Sequence, residues 1–130
     1  MDLSKRITNE EAKTRTIWYD IDDASFCIRE LTRIPKALNL LRNSQGKINK
    51  TGKSLSYEED TRMTLKIVKD HILVDWAGLY NDGEEFPYSQ ENAHWLLTNY
   101  DPILNELFNA SLEPTNFEQQ IEKEADEKKN

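Results

Sequence analysis

The chain has 130 residues, a formal net charge of −7 and a single cysteine. This length suits one domain with one core, and one cysteine excludes an internal disulfide and fits a reducing compartment. No apolar run reaches the roughly 18 residues that a membrane-spanning helix needs, and the first residues lack the apolar stretch of a secretion signal. We therefore expect a cytoplasmic protein without a membrane partner.

Two runs rich in β-branched and aromatic residues predict an N-terminal β-hairpin. They cover about residues 15–21 and 25–31, and the two aspartates between them tolerate turn geometry. In the first run Trp18 alternates with Ile17 and Tyr19, so apolar side chains point to both faces of the strand. We therefore expect this strand to be covered on both faces.

A short helix is predicted to begin at Pro35, whose fixed φ and missing N–H suit a first helical turn. The residues that follow are rich in Gly, Ser and Lys and have almost no apolar content. The helix is therefore expected to end early and to lead into a flexible loop over about residues 43–55. A loop of this length is uncommon in a small domain and is often functional.

The main helix is predicted to begin near Ser56, whose hydroxyl can cap it, with Glu59 at the capping-box position. Its apolar positions recur at spacings of three and four, namely Leu65, Val68, Ile72 and Trp76. This pattern predicts an amphipathic helix that reaches Trp76. An Asn-Asp-Gly turn at residues 81–83 then follows.

Two further helices are predicted after this turn. Ser89 caps the first, and an Asp101-Pro102 pair is typical of the cap and first turn of the second, which ends before Pro114. Residues 118–130 form an acidic tail that is expected to be disordered. The fold class is therefore α+β: one domain over residues 1–117, with the β-hairpin packed against a bundle of three to four helices.

No catalytic, metal or cofactor site is predicted. The segment from Gly46 to Ser54 ends in Gly-Lys-Ser, but its glycine spacing differs from that of a phosphate-binding loop. Cys27, His71 and His94 lie far apart, which fits neither a nucleophile with its base nor a zinc site. The acidic residues near the Asp-Gly turn lack the ligand spacing of an EF-hand. We therefore expect a protein that is not an enzyme.

Two groups of residues are candidate partner-binding surfaces. The first is a concentration of apolar and aromatic side chains, which offer large contact areas: Trp76, Leu79, Tyr80, Phe86, Tyr88 and Trp95. Trp76, in register with the apolar stripe, is also expected to pack in the core. The second lies in residues 31–54, where six basic and no acidic residues occur. Its candidates are Arg42, Lys47, Lys50 and Lys53, which suit an acidic partner or nucleic acid, although the negative net charge opposes attraction to phosphate.

Several motifs follow one another between Ser56 and Phe117. They are Asp75-Trp76-x-Gly78-Leu79, Asp82-Gly83, Pro87-Tyr88-Ser89-x-Glu91-Asn92-Ala93, Leu96-Leu97 and the Asp101-Pro102 helix start. This series resembles the tail assembly chaperones of long-tailed phages and prophages.

The resemblance implies a small α+β assembly factor in the host cell cytoplasm that is not part of the mature virion. Such a factor binds the tape measure protein, keeps it soluble and helps recruit tail tube protein, and it can form a homo-oligomer. From the residues themselves, the alternative is a small nucleic-acid-associated regulatory protein that uses the basic segment 31–54.

Overall fold

The computed structural model, which describes residues 1–5, 8, 10 and 15–118, contains a three-stranded antiparallel sheet. Strand β1 is Thr16–Ile21, β2 is Ala24–Arg29 and β3 is Leu73–Ala77, in the order β1-β2-β3. The predicted N-terminal hairpin is confirmed, and Asp22 in its turn has a φ of 52°. Together with the helices described below, the sheet gives the predicted α+β class.

Strand β3 corrects the sequence prediction of a helix that reaches Trp76. Helix α2, Tyr57–Ile67, ends earlier and passes through a π turn, Val68–Ile72, directly into β3. Ile72 and Trp76 are four positions apart. Side chains at this spacing share one side of a helix, and they also share one side of a strand, so the spacing fits both structures. Pairing with β2 decides between the two, because it sets Trp76 opposite Phe26.

Helix α1 spans Pro35–Thr51, so the predicted flexible loop over residues 43–55 is wrong for most of its length. Leu41 and Ile48 are seven residues apart and both half-buried, so an apolar stripe continues through the polar composition. Gly52, at a φ of 70°, ends the helix, and its N–H donates a hydrogen bond to the Ile48 carbonyl.

Two predicted serine caps are confirmed. The Ser56 hydroxyl oxygen accepts a hydrogen bond from the Glu59 N–H at 3.1 Å, at the start of α2. The Ser89 hydroxyl oxygen accepts one from the Asn92 N–H at 3.0 Å, at the start of α3, Gln90–Asn99. Each bond satisfies an N–H that the first turn of a helix leaves unpaired.

The last long helix, α4, spans Asp101–Leu112 and ends before Pro114, as predicted. Its cap is Tyr100, one residue before the predicted position. Asp101 instead lies in the first turn, where its carboxylate accepts a hydrogen bond from the Tyr57 hydroxyl. This bond joins the starting turns of α2 and α4.

One further helical turn, residues 114–118, follows α4 and buries Phe117 at 1% exposure. Beyond Glu118, the tail that the sequence predicts to be disordered lies outside the described residues. Within the described ranges, no helix has the length and apolarity needed to cross a membrane.

The core lies between one face of the sheet and the helices. The π turn and α4 both contact β2. The largest fully buried side chains include Phe26, Ile28, Leu31, Ile67, Ile72, Leu97, Leu104, Leu107 and Phe117. Contrary to the expectation that both faces of β1 are covered, Trp18 is 54% exposed, although Cys27 opposite it on β2 is buried.

Gly78 is expected to be intolerant of a side chain. It follows β3 at a φ of 78°, and a Cβ there would lie 3.0 Å from the Asp23 carbonyl oxygen. Gly78→Ala should therefore lower the free energy of unfolding by about 1–3 kcal/mol, measured by urea denaturation. Gly46→Ala is the matched control: it lies within α1 with open space around it, so it should raise stability by about 0.5–1 kcal/mol. A harmless Gly78→Ala would contradict the close approach, and a destabilising Gly46→Ala would contradict the continuous helix.

Candidate aromatic interaction site

The indole of Trp76 is buried at 5% exposure and is surrounded by other rings. Phe86 stacks on it at 5.8 Å between ring centroids and 7° between planes. Phe26 and Tyr88 meet it edge-on at 6.3 and 5.1 Å. Its Nε1–H donates a hydrogen bond of 2.7 Å to the Phe86 carbonyl oxygen. The indole therefore fixes the segment that crosses from β3 to α3, through both ring contacts and a polar bond.

From Trp76 the ring contacts continue outward to the protein surface. Phe86 lies 5.4 Å from Trp95 of α3, and Trp95 lies 5.9 Å from Tyr100. Exposure rises along this series, from 5% at Trp76 to 42% at Trp95 and 46% at Tyr100. We refer to these four residues, Trp76, Phe86, Trp95 and Tyr100, as the aromatic row. One end of the row is part of the core and the other is open to solvent.

A groove of about 550 Å³ lies beside the middle of the aromatic row. Phe86 and Trp95 line it together with Asn81. Asn81 belongs to a short hairpin in which β4, Tyr80–Asn81, pairs with β5, Glu84–Glu85. The predicted Asp-Gly turn connects these strands, with φ values of 52° and 80° that match a two-residue type I′ turn. We refer to this cavity as the aromatic groove.

The predicted apolar and aromatic candidates lie in three positions: at the groove, against the core beside it, and beneath it. Phe86 and Trp95 line the groove, and Tyr80, 68% exposed, lies beside it in β4 next to Asn81. Leu79 is half-buried against the core, and its carbonyl oxygen accepts a hydrogen bond from the Phe86 N–H.

Tyr88 and Trp76 are the two candidates that point inward. The Tyr88 hydroxyl donates a hydrogen bond to the Leu73 carbonyl oxygen at 3.4 Å and accepts one from the Gln90 side chain at 3.0 Å. Its ring packs against Trp76. Both side chains thus lie beneath the groove, because Tyr88 packs against Trp76 and Trp76 stacks on the lining residue Phe86.

The basic candidates lie apart from the groove. Arg42 and Lys50 are exposed on α1, and Lys53 is exposed just after it, whereas the side chain of Lys47 lies outside the described part of the structure. None of the first three lines the groove. The aromatic and basic candidates therefore do not form one site.

Sequence reasoning missed the polar residues of the groove, although a signal for them exists. The α3 residues that line it with Trp95 are Glu91, Asn92, His94, Thr98 and Asn99. Four of these five are three or four positions from Trp95, the spacing at which side chains share a helix face. Asn92 and Asn99 also bond through their amides to the carbonyl oxygens of Pro87 and Trp95, at 2.8 and 2.7 Å.

Negative charge predominates around the groove. From Asp70 to Glu118 the sequence contains ten carboxylates and neither lysine nor arginine. Glu91 lines the groove, and Glu84 is the cross-strand partner of Asn81. As for metals, the described residues contain no group of three or more His, Cys, Asp or Glu side chains placed to hold an ion.

Fold and site together define a small α+β protein whose open cavity is lined by half-exposed aromatic rings. Comparison with family models gives a match to the YdaY prophage protein family over residues 31–129. The chain therefore belongs to this family, and it is a prophage protein. The matched region begins after the β1–β2 hairpin and includes the whole aromatic row. A search of curated proteins and a search of solved structures each found no match.

The two tryptophans of the aromatic row should differ in their contribution to stability. Trp76→Phe removes the bond to the Phe86 carbonyl and part of a buried ring contact, so it should lower the free energy of unfolding by about 1–3 kcal/mol. Trp95→Phe, at a half-exposed position, should change it by less than about 1 kcal/mol. Urea denaturation measures both variants. Equal losses would contradict the division of the row into a buried and an open end.

Titration of Tyr88 tests its surroundings. Burial, reinforced by the nearby Asp75 carboxylate and opposed by Arg29, raises the pKa of its phenol above the ordinary value of 10.0. The neutral phenol therefore stabilises the fold fully below pH 10.0, and this contribution is lost as pH rises through the raised pKa. The difference in phenolate absorbance between wild type and Tyr88→Phe should show this late titration. In an Asp75→Asn background the midpoint should fall. A midpoint at the ordinary value in the wild type would contradict the described environment.

Proposed function

We propose that this prophage protein is a tail assembly chaperone that acts in the host cell cytoplasm and is not part of the mature virion. In this role it binds the tape measure protein, keeps it soluble and helps recruit tail tube subunits. The observation that carries the proposal is the open end of the aromatic row, where Trp95 and Tyr100 are nearly half exposed. Membership of a prophage family and the motifs from Asp75 to Ala93 support it.

The physical basis of the proposal is the match between this groove and an amphipathic helix. A long helical client presents apolar side chains at spacings of three and four, and these aggregate unless they are covered. Grooves lined by aromatic residues bind such helices by taking in a few anchor side chains. The floor provided by Phe86 and Trp95 suits one anchor of this kind.

Attachment of the row to the core favours binding in a second way. Phe86 stacks on the buried Trp76, and Trp95 contacts Phe86, so the exposed rings are already ordered before a partner arrives. Ordering a side chain on binding costs about 0.5–1.5 kcal/mol, and a prearranged ring avoids most of this loss. The groove can therefore bind reversibly without rearrangement of the fold.

Co-expression with the tape measure protein of the same prophage tests the proposal. The wild-type chain should increase the soluble fraction of that protein, and Trp95→Ala should weaken the complex by about 30-fold or more, as expected for a central tryptophan anchor. Trp18→Ala is the matched control, because Trp18 is also exposed but lies on β1 and does not line the groove. It should behave as the wild type does.

Two outcomes would reject the proposal. One is a soluble fraction of the client that does not respond to this chain. The other is salt-sensitive binding of DNA or RNA that the double variant Arg42→Ala, Lys50→Ala loses and Trp95→Ala retains. This outcome would favour the nucleic-acid-associated role instead.

A further inference from the structure

The aromatic groove combines an apolar floor with an acidic border, and this combination restricts what it can bind. Glu91 lines the groove, and Glu84 pairs with the lining residue Asn81 across the β4–β5 hairpin. In the same hairpin, Asp82 of the turn and Glu85, which pairs with Tyr80, are exposed. We refer to Asp82, Glu84, Glu85 and Glu91 as the acidic border.

We propose that the groove binds a helical segment of the client that carries lysine or arginine beside its apolar anchor. This inference rests on the proposed function and specifies the client segment chemically. In the bound state Phe86 and Trp95 contact the apolar anchor, while the acidic border faces the basic side chains. An acidic segment with the same apolar residues is excluded by repulsion between carboxylates.

Charge complementarity is the first argument. Among the described residues that line the groove there is no lysine or arginine to neutralise the border from within the chain. Among the described residues, the salt bridges of Arg33 with Glu30 and of Lys69 with Asp70 involve none of the four border residues. A basic partner therefore supplies the countercharge, and steering by such a field speeds association as well.

The exposed indole is the second argument. The face of an aromatic ring attracts cations, and tryptophan does so most strongly. Trp95 is 42% exposed and lies one helical turn from Glu91 on α3. A lysine or arginine next to the anchor can thus interact with the ring and with a carboxylate together, whereas a glutamate at the same place gains neither interaction.

Two designed peptides test this inference without the natural client. Both are amphipathic helices of about 20 residues with identical leucine and phenylalanine positions, and their flanking positions are all lysine in one and all glutamate in the other. Fluorescence anisotropy of the labelled peptides measures affinity for the full chain. The lysine peptide should bind at least about ten-fold more tightly at low salt, because each exposed ion pair contributes a factor of about 1.4 to 5. High salt should reduce this ratio.

Matched triple variants locate the preference. The first triple variant combines Glu84→Gln, Glu85→Gln and Glu91→Gln, and it should lose most of the preference for the lysine peptide. Asp2→Asn, Glu58→Gln and Glu118→Gln remove the same net charge at exposed positions that do not line the groove, and they should leave it intact. Equal binding of the two peptides, absence of binding by both, or a preference that survives in the first triple variant would overturn the inference.

A second copy of the chain is the rival occupant, through the basic residues of its α1. Sedimentation of the chain alone decides this: self-association that the first triple variant abolishes would overturn assignment of the groove to a client segment. The proposed function is judged separately by co-expression. Suppose that solubilisation of the tape measure protein is lost in Trp95→Ala but unchanged in the first triple variant. This result would support the chaperone role and reject a basic client segment.

Discussion

The buried indole of Trp76 is the contact on which the arrangement of this protein depends. It belongs to β3, it contacts Phe26 of β2, and it holds the chain that leads to α3 through a stacked ring and a hydrogen bond to Phe86. One side chain thus joins the sheet, the crossing segment and the base of the groove. Because it is nearly inaccessible, its role is to position the rings above it, and the candidate contact residues are those further along the row.

Local signals in the sequence identified the elements whose formation is decided locally. Ser56 and Ser89 cap helices as predicted, because a cap depends only on residues within one turn. The Asp-Gly turn is also confirmed, since few residues other than glycine, asparagine and aspartate adopt its positive φ values. The first hairpin could be predicted in the same way, because two aspartates, which tolerate turn geometry, lie between β-branched runs.

Predictions failed where long-range pairing or a weak stripe decided the outcome. The apolar spacing that ends at Trp76 fits both a helix and a strand, and only the neighbouring β2 selects the strand. In α1, glycine and polar residues suggested a loop, but Leu41 and Ile48 provide enough of an apolar face to keep the helix intact. For the groove, residue type alone singled out Phe86 and Trp95, whereas the spacing of the polar lining becomes informative only once Trp95 is known to face the open side of α3.

The distribution of charge along the chain gives the two candidate surfaces opposite signs. The basic side chains of α1 are in the first half of the sequence. The region that forms the groove contains aspartate and glutamate but no lysine or arginine. A modest net charge of −7 conceals this separation. Binding of the two surfaces should therefore respond in the same way to salt but in opposite ways to the sign of the ligand.

The β4–β5 hairpin is fixed at its ends and free at its tip. The Phe86 N–H bonds to the Leu79 carbonyl at 2.8 Å, and the Trp76 indole bonds to the Phe86 carbonyl, so the strand ends are held. At the tip, a Cβ added to Gly83 would meet no atom within 4 Å, so the turn borders open space, although its φ of 80° reserves that position for glycine. The turn is consequently a permissive place for inserted residues, where a peptide tag or an additional loop can be accommodated while the rings beneath keep their packing.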